Sequence, residues 1–483
     1  MRCQPRHLAD AKGDRNGHGV ARAARAGRRR PGHAGGHAGQ SEVSRLRHLA
    51  KSLAGFWLLL PASALAQPLD FNLGSPALRA KAKGWHQDGI TFEGRYLGEF
   101  ADNAAGGARQ GSDYAGELAF GTKLDLGRLA GLQGGHLNIL FTQRQGADLA
   151  AQKINNSISV QEIYGGGETL QLTEFTYRQA LFGGKVDVQL GRTELGSNFL
   201  HSKLYCRFQD NAECGAPYAL IYDSSVSIYP VAGWGGRIEI KPLPYLYLRL
   251  GIYQDDPNVI PGNGHGFTWG FAGSSGFAVP LELGIQRKPK HAAFDDRADI
   301  GVIFDRSHFS PAFLRNGPED YGRTLIYGQL QGLAWRSQAD KPQGLYLYAV
   351  AVGGLPGRDQ AASYELNAGA VYRGLLPGRP KDNLNIAFGD IRFTGARLAA
   401  LYAQRIAAGG AGHPARNLVM FEANYCIHAN HWLRVTPNFQ YILHPDGDGG
   451  RAPFAPHNLP DAVVLGLQFT VNLPHMFGIP GKI

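Results

Sequence analysis

The feature that most constrains this chain is alternation. From about residue 90 to residue 473, apolar and polar side chains trade places at successive positions. Ile90, Phe92, Tyr96 and Phe100 alternate with Thr91, Glu93, Arg95 and Glu99. Leu246, Leu248, Leu250 and Ile252 alternate with Tyr247, Arg249 and Tyr253. The longest run sets Val463, Leu465, Leu467, Phe469, Val471 and Leu473 against Val464, Gly466, Gln468, Thr470 and Asn472. A period of two gives a strand one apolar and one polar face, a pattern that a helix of 3.6 residues per turn cannot use.

About sixteen such runs begin near residues 90, 112, 135, 169, 185, 232, 245, 277, 297, 324, 344, 364, 382, 417, 432 and 462. Each is roughly 8–13 residues, close to what a tilted strand needs to cross a bilayer. Short separators such as Lys241-Pro-Leu-Pro244 alternate with long ones, Gly196–Ala232 and Asp255–Gly276. Short turns at one end and long loops at the other fit an outer-membrane barrel. A soluble sandwich also alternates, but here the apolar faces are rich in Leu, Val, Phe and Tyr over many strands. The other faces carry Glu, Arg, Asp, Gln and Asn, which need water or partners. Sixteen strands close around an aqueous space, and closure removes the edges that lipid forbids. The expected fold is an all-β, transmembrane, antiparallel β-barrel of about 16 strands over residues 90–473. A short N-terminal periplasmic or plug segment (67–89) precedes it and a tail (474–483) follows. Ala396–Ala408 has helical spacing and reads as a short helix in a long loop.

The formal net charge of +10 is lopsided. Residues 1–66 hold 12 Lys and Arg against three acids, leaving 37 basic and 36 acidic residues in the remainder. The basic balance therefore belongs to the leader and is no argument for nucleic acid binding. Arg45, Arg47 and Lys51 precede the apolar Leu53–Leu60, and Ala64-Leu-Ala66 is a small-residue cleavage pattern. Residues 43–66 read as a secretory signal peptide, cleaved before Gln67. Residues 1–42 form a basic, low-complexity leader, and initiation at Val43 would give the signal peptide an ordinary short n-region. Export makes a Cys206–Cys214 pair feasible in an oxidising periplasm, while Cys426 reads as a lone strand thiol.

Several stretches resemble the carbohydrate-selective porins of Gram-negative outer membranes, the OprB type. They are Val160-Gln-Glu-Ile-Tyr-Gly-Gly166, Gly191-Arg192, Leu204-Tyr-Cys-Arg-Phe208, Cys214-Gly-Ala-Pro217, Tyr229-Pro230, Trp234-Gly-Gly-Arg237 and Gly251-Ile-Tyr-Gln254. Glu422-Ala-Asn-Tyr425, Val435-Thr-Pro437, Gln440-Tyr441 and His444-Pro445 extend the likeness to the end. The resemblance implies a sixteen-stranded barrel for inward diffusion of glucose and similar sugars, without a cofactor or metal. One departure is the ending, where Pro474–Ile483 replaces the usual terminal aromatic and Phe477 is the nearest substitute.

A diffusion pore must replace the hydration its solute loses. Carboxylates and guanidinium groups can bond sugar hydroxyls, and aromatic rings can stack sugar faces. Glu93, Arg95, Glu117, Arg178, Arg192 and Arg249 are the expected lumen-facing set, with Trp234 and Trp269 as stacking candidates. Tyr245, Trp335, Tyr425, Trp432 and Tyr441 read as an interfacial girdle. The near-equal acid and base counts suit small neutral sugars as partners, with outer-membrane lipid around the barrel and either a monomer or a homo-oligomer as its state. The Gly196–Ala232 loop is the expected constriction. The alternatives are a barrel enzyme of lipase or protease type and a structural or export barrel. No G-x-S-x-G or H-E-x-x-H occurs, and Asp446-Gly-Asp448 is only a fragment of a calcium loop.

Overall fold

The computed structural model describes residues 71–482, apart from 213, 215, 257–263, 312, 314–318, 356–359 and 450–453. The expected leader and signal peptide lie outside the described residues.

Sixteen strands follow one another. They are β1 (Ile90–Ala105), β2 (Gly111–Asp125), β3 (Gly135–Gly146), β4 (Leu170–Leu181), β5 (Val186–Thr193), β6 (Gly233–Leu243), β7 (Leu246–Asp255) and β8 (Gly276–Arg287). Then come β9 (Asp296–Phe309), β10 (Asp320–Arg336), β11 (Gly344–Gly354), β12 (Ala362–Arg373), β13 (Asn383–Phe393), β14 (Asn417–His428), β15 (Leu433–Leu443) and β16 (Ala462–Asn472). Each pairs antiparallel with the next. β1 also pairs antiparallel with β16, Arg95 opposite Asn472, so the sheet closes on itself. A two-residue β17 (Gly481–Lys482) runs parallel to β1 beside Phe92 and Glu93, so the tail tucks against the first strand.

The alternation sorts the two surfaces. Leu248, Leu250, Ile252, Leu283, Ile285, Ile300, Leu330 and Phe388 project outward and are exposed. So much exposed apolar surface is a liability in water and a requirement in hydrocarbon. Tyr245 and Trp335 are exposed near strand ends, as a girdle needs. Tyr425 is a correction: it is buried, and its hydroxyl is 3.4 Å from the Asp382 carboxylate.

Helix α1 (Pro76–Gln87) starts on Ser75, whose hydroxyl caps Leu78 N–H, with proline pre-set at the first position. Arg128 donates to His86 O at 3.2 Å, Leu73 N–H donates to Met476 O, and Phe71 meets the edge of Trp432. The segment before the barrel thus packs on the short-turn rim.

The lumen is filled from the other end. Two long-loop segments, residues 147–169 and 194–232, fold inward, the second carrying α2 (Tyr218–Tyr222). Leu149, Ile154, Ile158 and Val160 meet Phe199, Leu204, Phe208 and Leu220. They pack against Tyr327, Tyr346, Tyr348 and Val350 on the inner wall. Each fully buried side chain of this size stabilises by about 1.5–3 kcal/mol. β11 is therefore apolar on both faces, while β10 adds Gln329 and Gln331, which bond Tyr205 and Ser202 of the loop, and the lumen is far less open than a polar lining implies. Helix α3 (Gly395–Ala407), capped by Thr394, forms where helical spacing predicts. Its buried Arg397 pairs with Asp446 at 3.1 Å and Asp448 at 2.8 Å. That pair of aspartates, read as a calcium-loop fragment, answers an arginine.

Leu250→Arg puts a charge on the outer face near the middle of β7. It should cost about 2–4 kcal/mol in a bilayer, the depth-dependent penalty for arginine on a lipid face. Urea unfolding in lipid vesicles, followed by gel mobility without heating, checks this.

Candidate functional site: a constricted lumen

Three adjacent strands build a buried polar cluster that meets the inward loops. Arg95 of β1, Glu117 of β2 and Arg144 of β3 all point inward, because odd positions of β1–β2 and even positions of β3 share that face. Glu117 is fully buried. Its carboxylate accepts from Arg95 Nη2 at 2.5 Å, Arg144 Nε at 2.7 Å and the Tyr229 hydroxyl at 3.0 Å. The Arg144 guanidinium also donates to Gly165 O at 2.9 Å and lies over the Tyr229 ring. Wall and inward loops therefore meet in one charge-assisted network. Glu162, on the first loop, adds a second carboxylate beside both arginines. Burial lifts its pKa to about 7, Arg95 and Arg144 oppose the rise, and Glu117 adds to it.

Arg95, Arg144, Glu162 and Tyr229 line one cavity of about 650 Å³, together with Glu93, Tyr164, His201, Arg207, Cys426 and Arg434, with Glu117 buried behind them. That volume is in the range of small-molecule sites.

The second inward loop is held by carboxylates of the wall. Glu422 accepts from Gln209 N–H at 2.9 Å and Asp210 N–H at 2.8 Å. Glu365 accepts from Ala219 N–H at 3.0 Å, and Asp305 from Ser225 N–H at 2.9 Å. Glu282 accepts from Leu200 N–H at 3.3 Å. In the reverse direction, loop Asp223 accepts from Ala361 and Ala362 N–H. Cys206 and Cys214 form a disulfide within this loop, with Cα atoms 4.4 Å apart.

Five of the residues expected in the lumen face it. Glu93, Arg95 and Glu117 belong to the cluster just described. Arg178 reaches Asp187 at 2.8 Å, an acid it shares with Arg237. Arg249 pairs with Glu239 and with Glu282, and donates to the Asn198 carbonyl, so it braces the loop. The other three are corrections. Arg192 shares the outward face of β5 with Leu190. Its guanidinium donates to Thr268 O at 2.7 Å and Ala232 O at 2.5 Å and lies over the Trp269 ring. Trp234, paired with Arg192 across β5–β6, also faces outward and packs on Trp269. The segment around Trp269 folds over the outer wall, with Phe175 and Phe271 in the same aromatic patch. A period-two count from Leu190 places Arg192 outside; its place in a family-like motif points the other way.

Sequence reasoning omitted Arg144, Glu162 and Tyr229. Arg144 follows Thr142 on the polar face of β3 and was legible there. Glu162 and Tyr229 sit in stretches that carry the resemblance, but their inward course depends on loop folding.

The family model for the carbohydrate-selective porin, OprB family, matches residues 109–473. Porin B of Pseudomonas aeruginosa is 27% identical over 390 residues, covering 75% of this chain and 84% of that protein. The putative porin QuiX of Acinetobacter baylyi is 24% identical over 409 residues, covering 80% and 90%. The high-pH structure of Pseudomonas putida OprB superposes with a TM-score of 0.72 at 24% identity, covering 80% of this chain and 95% of that one.

Glu162 supplies a pH test. Above about pH 7 the cluster of Arg95, Arg144, Glu117 and Glu162 balances; protonation of Glu162 below it leaves one net positive charge. Reversal potentials in planar bilayers should therefore shift toward chloride between pH 8 and pH 6. In Glu162→Gln the shift should shrink to the part carried by Glu194, which lines the same cavity and whose pKa burial also lifts to about 7, with chloride favoured more than in the unaltered channel at pH 8.

Matched by its family model across most of the described barrel, and closed as that barrel is, the chain belongs to the OprB family of carbohydrate-selective porins of the bacterial outer membrane.

Proposed function

We propose that neutral monosaccharides of glucose size diffuse through the cavity between the inward loops and the β1–β3 wall, with Arg95, Arg144, Glu162 and Tyr229 as the contacts that select them. The observation that carries this reading is the mixture of groups around Glu117. Guanidinium N–H groups can donate to sugar oxygens, carboxylate oxygens can accept from sugar hydroxyls, and the Tyr164 and Tyr229 rings offer apolar faces. A solute entering the cavity trades hydration for these partners and leaves without a bond made or broken. The charge balance supports a neutral cargo, because each wall arginine of the cluster stands beside a carboxylate. This reading has no chemical step, which separates it from a barrel enzyme. Each barrel is lined by one chain, so a monomer suffices for passage.

Osmotic swelling of proteoliposomes tests the reading. Glucose should enter faster than a neutral amino acid of similar size, and a disaccharide should enter at least about tenfold more slowly, equivalent to about 1.4 kcal/mol of barrier. Entry that follows solute size alone across all three would contradict it.

A further inference from the structure

Nearly every inward arginine of the wall has a carboxylate partner: Arg95 and Arg144 have Glu117, Arg249 has Glu239, Arg297 has Asp299, and Arg323 has Asp305. Arg373 and Arg434 of the wall break the rule, and so does Arg207 of the inward loop. None of the three makes an ion pair or a side-chain hydrogen bond among the described residues, and the buried Nε atoms of Arg207 and Arg373 have no acceptor.

The three converge by register. Arg373, Asn383 and Cys426 stand opposite one another across β12, β13 and β14. Arg434 of β15 pairs with His428, two residues beyond Cys426 on the same inward face. Asn424, two residues before Cys426, donates to the Arg207 carbonyl at 2.9 Å and sets the loop arginine over this patch. The Arg207 guanidinium then rests on the Phe294 ring, 4.9 Å from its centre. Arg207, Cys426 and Arg434 open into the same cavity as Arg95 and Arg144. Asp382, in the turn just before β13, is already engaged by Arg379 at 2.7 Å. Burial and the fields of Arg434 and Arg373 lower the Arg207 pKa to about 10, as expected of cations with no counter-charge among them.

We propose that Arg207, Arg373 and Arg434 form an oxyanion subsite in the passage, which lets the channel take monosaccharides bearing a carboxylate or phosphate group. This deepens the reading above and rests on it. Planar guanidinium groups suit both oxyanions because each can present two parallel N–H donors. An incoming anionic sugar supplies the charge the wall withholds. Neutral sugars keep the Glu117 side of the cavity, so the two cargoes share one route.

The test compares uptake of glucose, gluconate and glucose 6-phosphate into proteoliposomes, for the full-length mature barrel and for Arg373→Gln/Arg434→Gln. The unaltered channel should pass gluconate or glucose 6-phosphate as well as glucose, and the faster of the two anions identifies the oxyanion preferred. The double variant should lose about tenfold of that anion uptake, the loss of a charge-assisted bond, while glucose uptake stays within about twofold. Arg373→Lys/Arg434→Lys, which keeps the charges, should retain anion uptake, and unheated gel mobility confirms that each barrel is folded. Exclusion of both anions by a channel that admits glucose would overturn the subsite alone. An equal fall in glucose and anion uptake in the Gln variant would also overturn it. Failure of glucose to outpace a neutral amino acid would instead strike the sugar reading itself.

Discussion

Backbone N–H groups inside a barrel must find acceptors, and this need organises the lumen. A loop of 39 residues, 194–232, cannot fold inward with its amides bare, because each unpaired buried group costs about 1–3 kcal/mol. The wall answers with carboxylates placed where the loop amides arrive: Glu282 on β8, Asp305 on β9, Glu365 on β12 and Glu422 on β14. Loop Asp223 returns the arrangement to the start of β12. Apolar packing of Phe199, Leu204, Phe208 and Leu220 against the tyrosines of β10 and β11 then fills the space that these anchors define. Remove the anchoring and the passage has no fixed second side.

What remains open is a polar cavity along one part of the wall. There the charges divide into two kinds. Around Glu117 they are paired, so guanidinium and carboxylate groups present bonding capacity with little net field. Around Cys426 the arginines are unpaired. A single cavity thus offers a balanced surface and a positive one. The charge balance of residues 67–483, 37 basic against 36 acidic residues, conceals this division because it averages over it.

The barrel was legible because period two is a local signal. Expected strand starts such as 90, 135, 344, 417 and 462 coincide with those observed. Lumen-facing Arg95, Glu117 and Arg249 were legible for the same reason. The filling of the lumen was not, since it depends on contacts between residues more than a hundred positions apart, such as Gln209 with Glu422. One clue was present: β11 reads Gly344-Leu-Tyr-Leu-Tyr-Ala-Val-Ala-Val352, apolar on both faces. A strand between lipid and water has no use for Val350 and Val352 on its inner side; a strand between lipid and a packed loop does. Arg192 was misplaced where motif likeness was set above parity, Trp234 sits on the outward face of β6 opposite it, and the segment carrying Trp269 folds outward over the wall.

The most direct test of this account is the size limit of the channel when the loop loses its anchors. Glu365→Ala/Glu422→Ala leaves the amides of Ala219, Gln209 and Asp210 without acceptors. Single-channel conductance and disaccharide uptake should both rise above those of the unaltered channel, while the barrel itself stays folded. A folded double variant with unchanged conductance and the same exclusion of disaccharides would contradict the claim that wall carboxylates hold the constriction in place.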